Sequence, residues 1–210
     1  MMTKRVFVSS RMDELKTERQ VIRKTLQNPL NNLTISWNVF TIEDVADPRA
    51  PVPTFLQEVQ DTEYYVCVLG RTYGTFPIGQ SPTEREFNEA RNSGKPRFIY
   101  VKQLQPSEPR ELGVNRLIDL AQRDNVYHPY DDPLKLGKLV KFDLLDYIWR
   151  NERPTKADCS HFRDLLETNN RKYEFLQQQI QKRPPTPYDV LEIEEIKEKI
   201  DELYLALRNC

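Results

Sequence analysis

The feature that most constrains the fold is a run of six residues, Tyr64–Leu69, in which nearly every side chain is apolar. A strand with one face in water alternates polar and apolar residues, whereas a strand of a parallel sheet is covered on both faces and is apolar throughout. Gly70 ends the run within the length of a strand. The run therefore predicts a central strand of a parallel α/β sheet.

Strand-like and helix-like patterns alternate through the first 150 residues. Further strands are predicted at 4–10, 33–40, 98–101 and around 126–127, and helices at 12–26, 55–59, 81–92, 111–123 and 133–150. Short connections between alternating elements favour a parallel, flavodoxin-like sheet of five strands with helices on both faces. Ligands of such folds bind outside the carboxyl ends of the strands. We therefore expect a site where Ser9, Ser10 and the loop 70–80 come together with the start of the 81–92 helix.

Two of these helices carry specific local predictions. In the 12–26 segment, Met12, Leu15 and Ile22 are spaced to share one buried face. In the 81–92 segment, Ser81 followed three residues later by Glu84 is the pattern of a capping box, in which each side chain binds the other residue's backbone N–H. These patterns predict where each helix begins and which side it buries.

The periodicity changes after Pro154. Apolar residues recur at intervals of three and four on both sides of a proline-rich turn at 184–187. We predict an antiparallel helical hairpin packed by Leu166, Tyr173, Leu176, Ile196, Ile200 and Leu203. We expect its charged face to lie in solvent; this face is formed by Glu194, Glu195, Lys197, Glu198 and Lys199. The chain is therefore divided into an α/β domain at 1–152 and a coiled-coil-like hairpin at 155–210.

Composition narrows the functional classes. Lysine and arginine number 31 against 32 acidic residues, so no overall positive field attracts nucleic acid. No apolar run reaches the roughly 20 residues of a membrane span, and the N-terminus has no signal-peptide core. We expect a cytoplasmic protein whose three cysteines are reduced, with no metal site because only two histidines exist, and with no cofactor.

Several separated motifs occur in an order typical of one family. They are the strand and serine pair at 6–10, the run 68–74, and the segment 81–90 with Gly94 beyond it. Over approximately its first 100 residues the chain resembles the TIR-like domain of unknown function found at the N-termini of many STAND NTPases and tetratricopeptide-repeat proteins. That group belongs with the TIR and nucleoside 2-deoxyribosyltransferase-like folds.

The resemblance selects one carboxylate. Deoxyribosyltransferases and NAD-cleaving TIR domains carry an essential Glu on the helix after the third strand, and the spacing of Thr83, Glu86 and Ala90 is similar to theirs. It implies that Glu86 is catalytic and faces a ribose C1′, as carboxylates do in glycoside chemistry. The alternative is that Glu86 has no catalytic role and is a solvent-exposed acid, while Glu84 belongs to the helix cap.

Other side chains at this edge are candidates for substrate binding, each with an ordinary alternative. Ser9, Ser10 and Thr83 can contact a ribose or phosphate, or serve as turn and cap residues. Arg71 can bind a phosphate or make a surface ion pair. Tyr73, with Phe76, can stack on a base or pack beneath the glycine-rich loop.

Two functions of different classes remain open. The first is an effector enzyme that hydrolyses the N-glycosidic bond of NAD, as its substrate, or of a related nucleotide in an immune or stress response. The second is a non-catalytic, TIR-like signalling module of a larger sensor protein. The hairpin would then support self-association or the docking of a partner protein.

Overall fold

The structure is a computed structural model that describes residues 2–28, 32–44, 52–74 and 79–210. Most of the loop predicted at 44–53, and Phe76 of the glycine-rich loop, lie outside these residues. The strands are β1 Met2–Ser10, β2 Ile35–Phe40, β3 Tyr64–Leu69, β4 Arg97–Lys102 and β5 Tyr127–Tyr130. The helices are α1 Lys16–Gln27, α2 Val52–Asp61, α3 Pro82–Asn92, α4 Leu112–Gln122, α5 Pro133–Asn151, α6 Lys156–Lys182 and α7 Pro187–Leu207.

The five strands form one parallel sheet in the order β2-β1-β3-β4-β5. This is the flavodoxin-like arrangement that the alternating pattern predicts, so the fold prediction is confirmed. All six side chains of β3 are buried, as its apolar sequence requires. Because β1 and β4 both pair with β3, the carboxyl ends of these three strands meet at one edge.

The core on one face of the sheet is built by alternate residues of the central strands together with α3. Phe7 pairs with Tyr65 and Ser9 with Cys67 in the parallel register. Phe87 and Ala90, three residues apart on α3, share the same core cluster as Phe7, Tyr65 and Cys67. The apolar face of α3 therefore packs against these side chains. Glu86 immediately precedes Phe87, the first residue of α3 in this cluster.

The helix predicted to begin at Met12 begins instead at Lys16, and Met12 is exposed. The cause is Arg19, whose guanidinium binds the carbonyl oxygens of Arg11 at 2.9 Å and Met12 at 2.6 Å. These carbonyls are thereby held in a turn that precedes the helix. Leu15 and Ile22 are buried as the spacing predicts.

The described residues form two compact units. One comprises those that lie within 3–27 and 37–141, and the other comprises Met2 and those that lie within 28–36 and 142–210. The first unit holds most of the sheet, and the second holds α6 and α7. None of the helices in the described residues has an apolar stretch long enough to cross a membrane.

In the second unit α6 and α7 form the predicted antiparallel hairpin. Capping boxes start both helices, through Thr155 with Asp158 and Thr186 with Asp189. The prediction of the packed stripe holds for the central positions. The helices pack through Leu176, Ile193 and Ile196, with Tyr173, Ile180 and Ile200 partly buried around them.

Two expectations for the hairpin region are wrong. Cys159 and Cys210 are not reduced but form a disulfide across 51 residues. The antiparallel arrangement brings the start of α6 to the end of α7, a proximity that sequence spacing does not show. Glu198, expected in solvent, is buried, whereas Cys67 is the buried free thiol that the sequence predicts.

Candidate functional site at the carboxyl edge of the sheet

The site is assembled where β1 and β3 end. The parallel pairing of Ser9 with Cys67 places the last residues of β1 beside the end of β3. Ser81 caps α3 by accepting a hydrogen bond from the Glu84 backbone N–H at 3.2 Å, and Pro82 begins the helix. The first turns of α3 consequently stand over the ends of these strands.

Glu86 is the central group of the site. Ser9 Oγ donates a hydrogen bond to Glu86 Oε2 across 77 residues of sequence. Glu86 is 7% exposed and Ser9 is 1% exposed. Ser9 is the only hydrogen-bond donor to this carboxylate within the described residues, so its Oε1 accepts none there. Burial rules out the alternative that Glu86 is a solvated acid.

Burial raises the pKa of Glu86 to about 7, because the protein interior disfavours the charged form. The Ser9 hydrogen bond and the positive charge of Arg19 act in the opposite direction. A carboxyl group with a pKa near neutrality exchanges a proton readily at physiological pH. Such perturbed groups are concentrated at functional sites.

Arg19 organises the turn after β1. Its buried guanidinium binds Glu43 through Nε at 2.9 Å and Nη2 at 2.6 Å. Nη1 donates to Ser10 Oγ at 2.6 Å. With the two turn carbonyls bound as well, the donors of Arg19 are committed to the protein. The Ser10 hydroxyl is therefore fixed by Arg19, while its neighbour Ser9 is held by Glu86.

Glu14 organises the loop after β3. Its carboxylate accepts hydrogen bonds from the backbone N–H groups of Arg71 at 2.5 Å and Thr72 at 2.8 Å. The hydrogen bonds from Thr72 and the Arg71 backbone hold the pKa of Glu14 below its ordinary value, although its partial burial, the largest single influence, acts to raise it. A Cβ at Gly70 would lie 2.3 Å from Glu14 Oε1, so a larger residue at this position would displace the Glu14 carboxylate.

Tyr73 replaces the direct capping box predicted for α3. Its hydroxyl accepts from the Ser81 backbone N–H at 3.0 Å and donates to the Glu84 carboxylate. Arg116 of α4 donates to Glu84 Oε2 at 3.0 Å and lies 5.6 Å from the centre of the Tyr73 ring. The phenol thus connects the two ends of the capping box, and its ring lies against Gly113. These contacts favour packing for Tyr73 over base stacking.

The remaining predicted residues lie around this edge. Thr83 is buried and lines a small cavity with Tyr73, Ser81 and Val114. Arg71 is exposed, and its guanidinium forms no ion pair with any residue that the structure describes. A wider cleft of about 410 Å³ opens beside Arg11, Asp13, Glu14, Thr72, Gly74 and Glu111.

Comparison with known proteins identifies the family. The family described as "Domain of unknown function (DUF4062)" matches residues 5–145, which is more than half of the chain. The chain belongs to the DUF4062 family. The matched stretch includes β2 to β5, the carboxyl end of β1 and every side chain of the site. No curated protein matched the chain.

In this DUF4062 domain the predicted site residues fall into two groups. Ser9 and Glu86 are joined directly, and Thr83 lies one turn before Glu86. Ser10 and Tyr73 are held by structural partners, and Arg71 points outward at the rim.

Sequence reasoning did not assign roles to Arg19 and Glu14. Both are charged residues close behind β1, a position where solvent-facing helix residues are also common. Charge in the first turns of a helix that follows a strand end was the available signal. This signal does not show which backbone groups the side chains of Arg19 and Glu14 bind.

Proposed function

We propose that this DUF4062 domain is a TIR-like effector that cleaves the N-glycosidic bond of NAD or a related nucleotide, in an immune or stress response. The observation that carries the proposal is the buried Glu86 carboxylate, bound to Ser9 at the carboxyl edge of a parallel sheet. Ligands of such sheets bind at this edge. Glu86 is assigned as the catalytic carboxylate.

The proposed reaction breaks the bond between the ribose C1′ and the nicotinamide nitrogen. Nicotinamide leaves with the bonding electrons, and positive charge develops at C1′. The Glu86 carboxylate stabilises this charge, or bonds to C1′ in an ester that water then breaks. Water supplies the hydroxyl that remains on the ribose, and its other proton passes to the solvent. A negative charge in a buried site stabilises such a centre more strongly than one in water.

The surroundings of Glu86 support this role. Ser9 fixes one carboxylate oxygen, and the other accepts no hydrogen bond from any described residue. Arg19 and Glu14 hold the two loops that flank the strand ends. Arg71 is an exposed cation at the rim, of the kind that binds phosphate.

Incubation of the purified, concentrated protein with NAD, followed by chromatographic detection of nicotinamide, tests the proposal. Glu86→Gln keeps the shape of the side chain but carries no negative charge, so we expect a loss of at least about 100-fold in nicotinamide release. Glu89→Gln is the matched control, because Glu89 lies on the same helix and binds Gln60 at its surface. Equal rates for wild type and Glu86→Gln would contradict the assignment.

The alternative function, a non-catalytic signalling and self-association module, has one specific observation in its favour. On the hairpin, Phe175, Tyr188 and Leu191 are each more than half exposed, at 59%, 71% and 59%. Exposed apolar side chains mark an interaction surface where they form one contiguous patch. Sedimentation of wild type and Leu191→Glu tests it: self-association abolished by Leu191→Glu, without nicotinamide release at high protein concentration, favours the alternative.

A further inference from the structure

Tyr65 lies in the middle of β3 and has no exposed surface. Its hydroxyl is a polar group inside an apolar core, and no described residue forms a hydrogen bond of good geometry with it. An unsatisfied buried hydroxyl destabilises the folded state, and phenylalanine fits the same space without this penalty. The presence of tyrosine instead of phenylalanine at this position therefore indicates a role for the hydroxyl.

The sheet register shows which groups lie near this hydroxyl. Phe7 pairs with Tyr65 and Ser9 pairs with Cys67, so these four side chains share one face of the sheet. The Tyr65 ring stacks on Phe7 with 6.0 Å between centroids. Side chains in strands lean along the strand direction. The phenol can thus reach toward Ser9, the donor to Glu86.

The electrostatic surroundings agree with this placement. Burial raises the pKa of Tyr65 well above its ordinary value, the neighbouring Cys67 and Glu86 raise it further, and the Ser9 hydroxyl lowers it. The phenol therefore stays protonated and neutral. Arg19 is the cation that faces Glu86, and Arg97 is the cation paired with Tyr65 in the register.

We propose that Tyr65 is a positioning residue of the Glu86 site, which acts through the Ser9 hydroxyl and does not touch the substrate. When Glu86 is ionised, Ser9 donates its proton to Glu86, and a free lone pair of Ser9 Oγ accepts from the Tyr65 hydroxyl. Each hydroxyl in this chain donates toward the ionised carboxylate, because a hydroxyl group can donate one hydrogen bond and accept another at the same time. A donor behind Ser9 strengthens its hold on the ionised carboxylate.

The inference deepens the proposed function, since it concerns the same carboxylate, but its test needs no substrate. The pKa of Glu86 is measured by ¹³C NMR titration of the glutamate carboxyl groups, with Glu86→Gln used to assign the resonance. Tyr65→Phe should raise the Glu86 pKa by roughly 0.5 to 1, the equivalent of one hydrogen bond. Ser9→Ala should raise it further. Tyr64→Phe, on the opposite face of the same strand, is the control and should leave it unchanged.

The double variant decides whether Tyr65 acts through Ser9. In the Ser9→Ala background, Tyr65→Phe should produce no further shift, because the intermediate hydroxyl is absent. An unchanged pKa in Tyr65→Phe, or an equal shift in both backgrounds, would overturn the inference. If the titrations behave as expected but no nicotinamide is released, the proposed function fails while the Tyr65–Ser9–Glu86 chain stands.

Discussion

Glu86 of the α/β sheet and Glu202 of the hairpin are both buried glutamates, 7% and 0% exposed, but their partners differ. Glu202 Oε1 accepts hydrogen bonds from the backbone N–H groups of Leu33 and Thr34 at 2.9 and 2.8 Å, and from Thr34 Oγ1 at 2.7 Å. Glu86 has Ser9 as its one hydrogen-bond donor in the described part of the chain.

The comparison separates two reasons for burying a carboxylate. Several donors that converge on one oxygen offset the loss of hydration, so the acid holds the chain together. One donor offsets less, so the acid is held at a greater cost in stability. On this basis Glu202 is structural and Glu86 is a functional candidate. The next three predictions test that distinction, from the largest effect to the smallest.

Glu202→Ala should lower the free energy of unfolding by about 4 kcal/mol, because the donors of Leu33 and Thr34 lose their acceptor inside the protein. Denaturant unfolding at neutral pH measures the loss. Glu194→Ala removes an exposed acid from the same helix and should change stability by less than about 0.5 kcal/mol. An equal loss of stability in Glu202→Ala and Glu194→Ala would contradict the structural role assigned to Glu202.

Glu86→Gln should change the pH dependence of stability. The pKa of Glu86 in the folded protein, about 7, lies above its ordinary value of 4.5. The wild type is therefore most stable, with respect to this group, below pH 4.5, and it loses about 3 kcal/mol as the pH rises through 7. Glutamine does not titrate, so the variant should gain this amount relative to wild type between pH 4.5 and 8.

Urea unfolding of both proteins across this pH range measures the difference. Glu89→Gln, the same substitution on the same helix, should follow the wild-type curve. If the free energy of unfolding depends on pH in the same way in wild type and Glu86→Gln, the burial of ionised Glu86 does not destabilise the folded protein.

Tyr73→Phe tests whether the second acid of α3 is structural. The variant removes the hydroxyl that joins the Ser81 N–H to the Glu84 carboxylate, and should cost about 1–2 kcal/mol. The Glu86 pKa should stay the same, because this hydroxyl binds the cap and not Ser9. Tyr204→Phe, at a half-exposed tyrosine of α7, serves as the control for thermal unfolding. A shifted Glu86 pKa in Tyr73→Phe would show that the cap and the candidate site are coupled.

The fold was largely predictable because the patterns that encode it are local. The apolar run of β3, the alternation in β2 and the spacing in α6 and α7 each record which side of an element is buried. The predictions that failed depended on side chains that bind the helix start from beyond the few residues of its own capping pattern. Met12 lies outside α1 because Arg19 binds the turn carbonyls, and Tyr73 enters the cap of α3 from a loop.

By itself, the sequence determined the parallel sheet, the helix start at Ser81 and the helical hairpin after Pro154, while the family resemblance selected Glu86 on α3. Periodicity and capping act within a few residues, so the order of amino acids is enough to read them. Only the tertiary structure decided that Ser9 meets Glu86 across 77 residues, and that Cys159 meets Cys210 across 51. It also decided that Glu86 is buried with one donor and Glu202 with several. The number of donors around a buried acid depends on how loops and strand ends come together, and no local pattern contains that information.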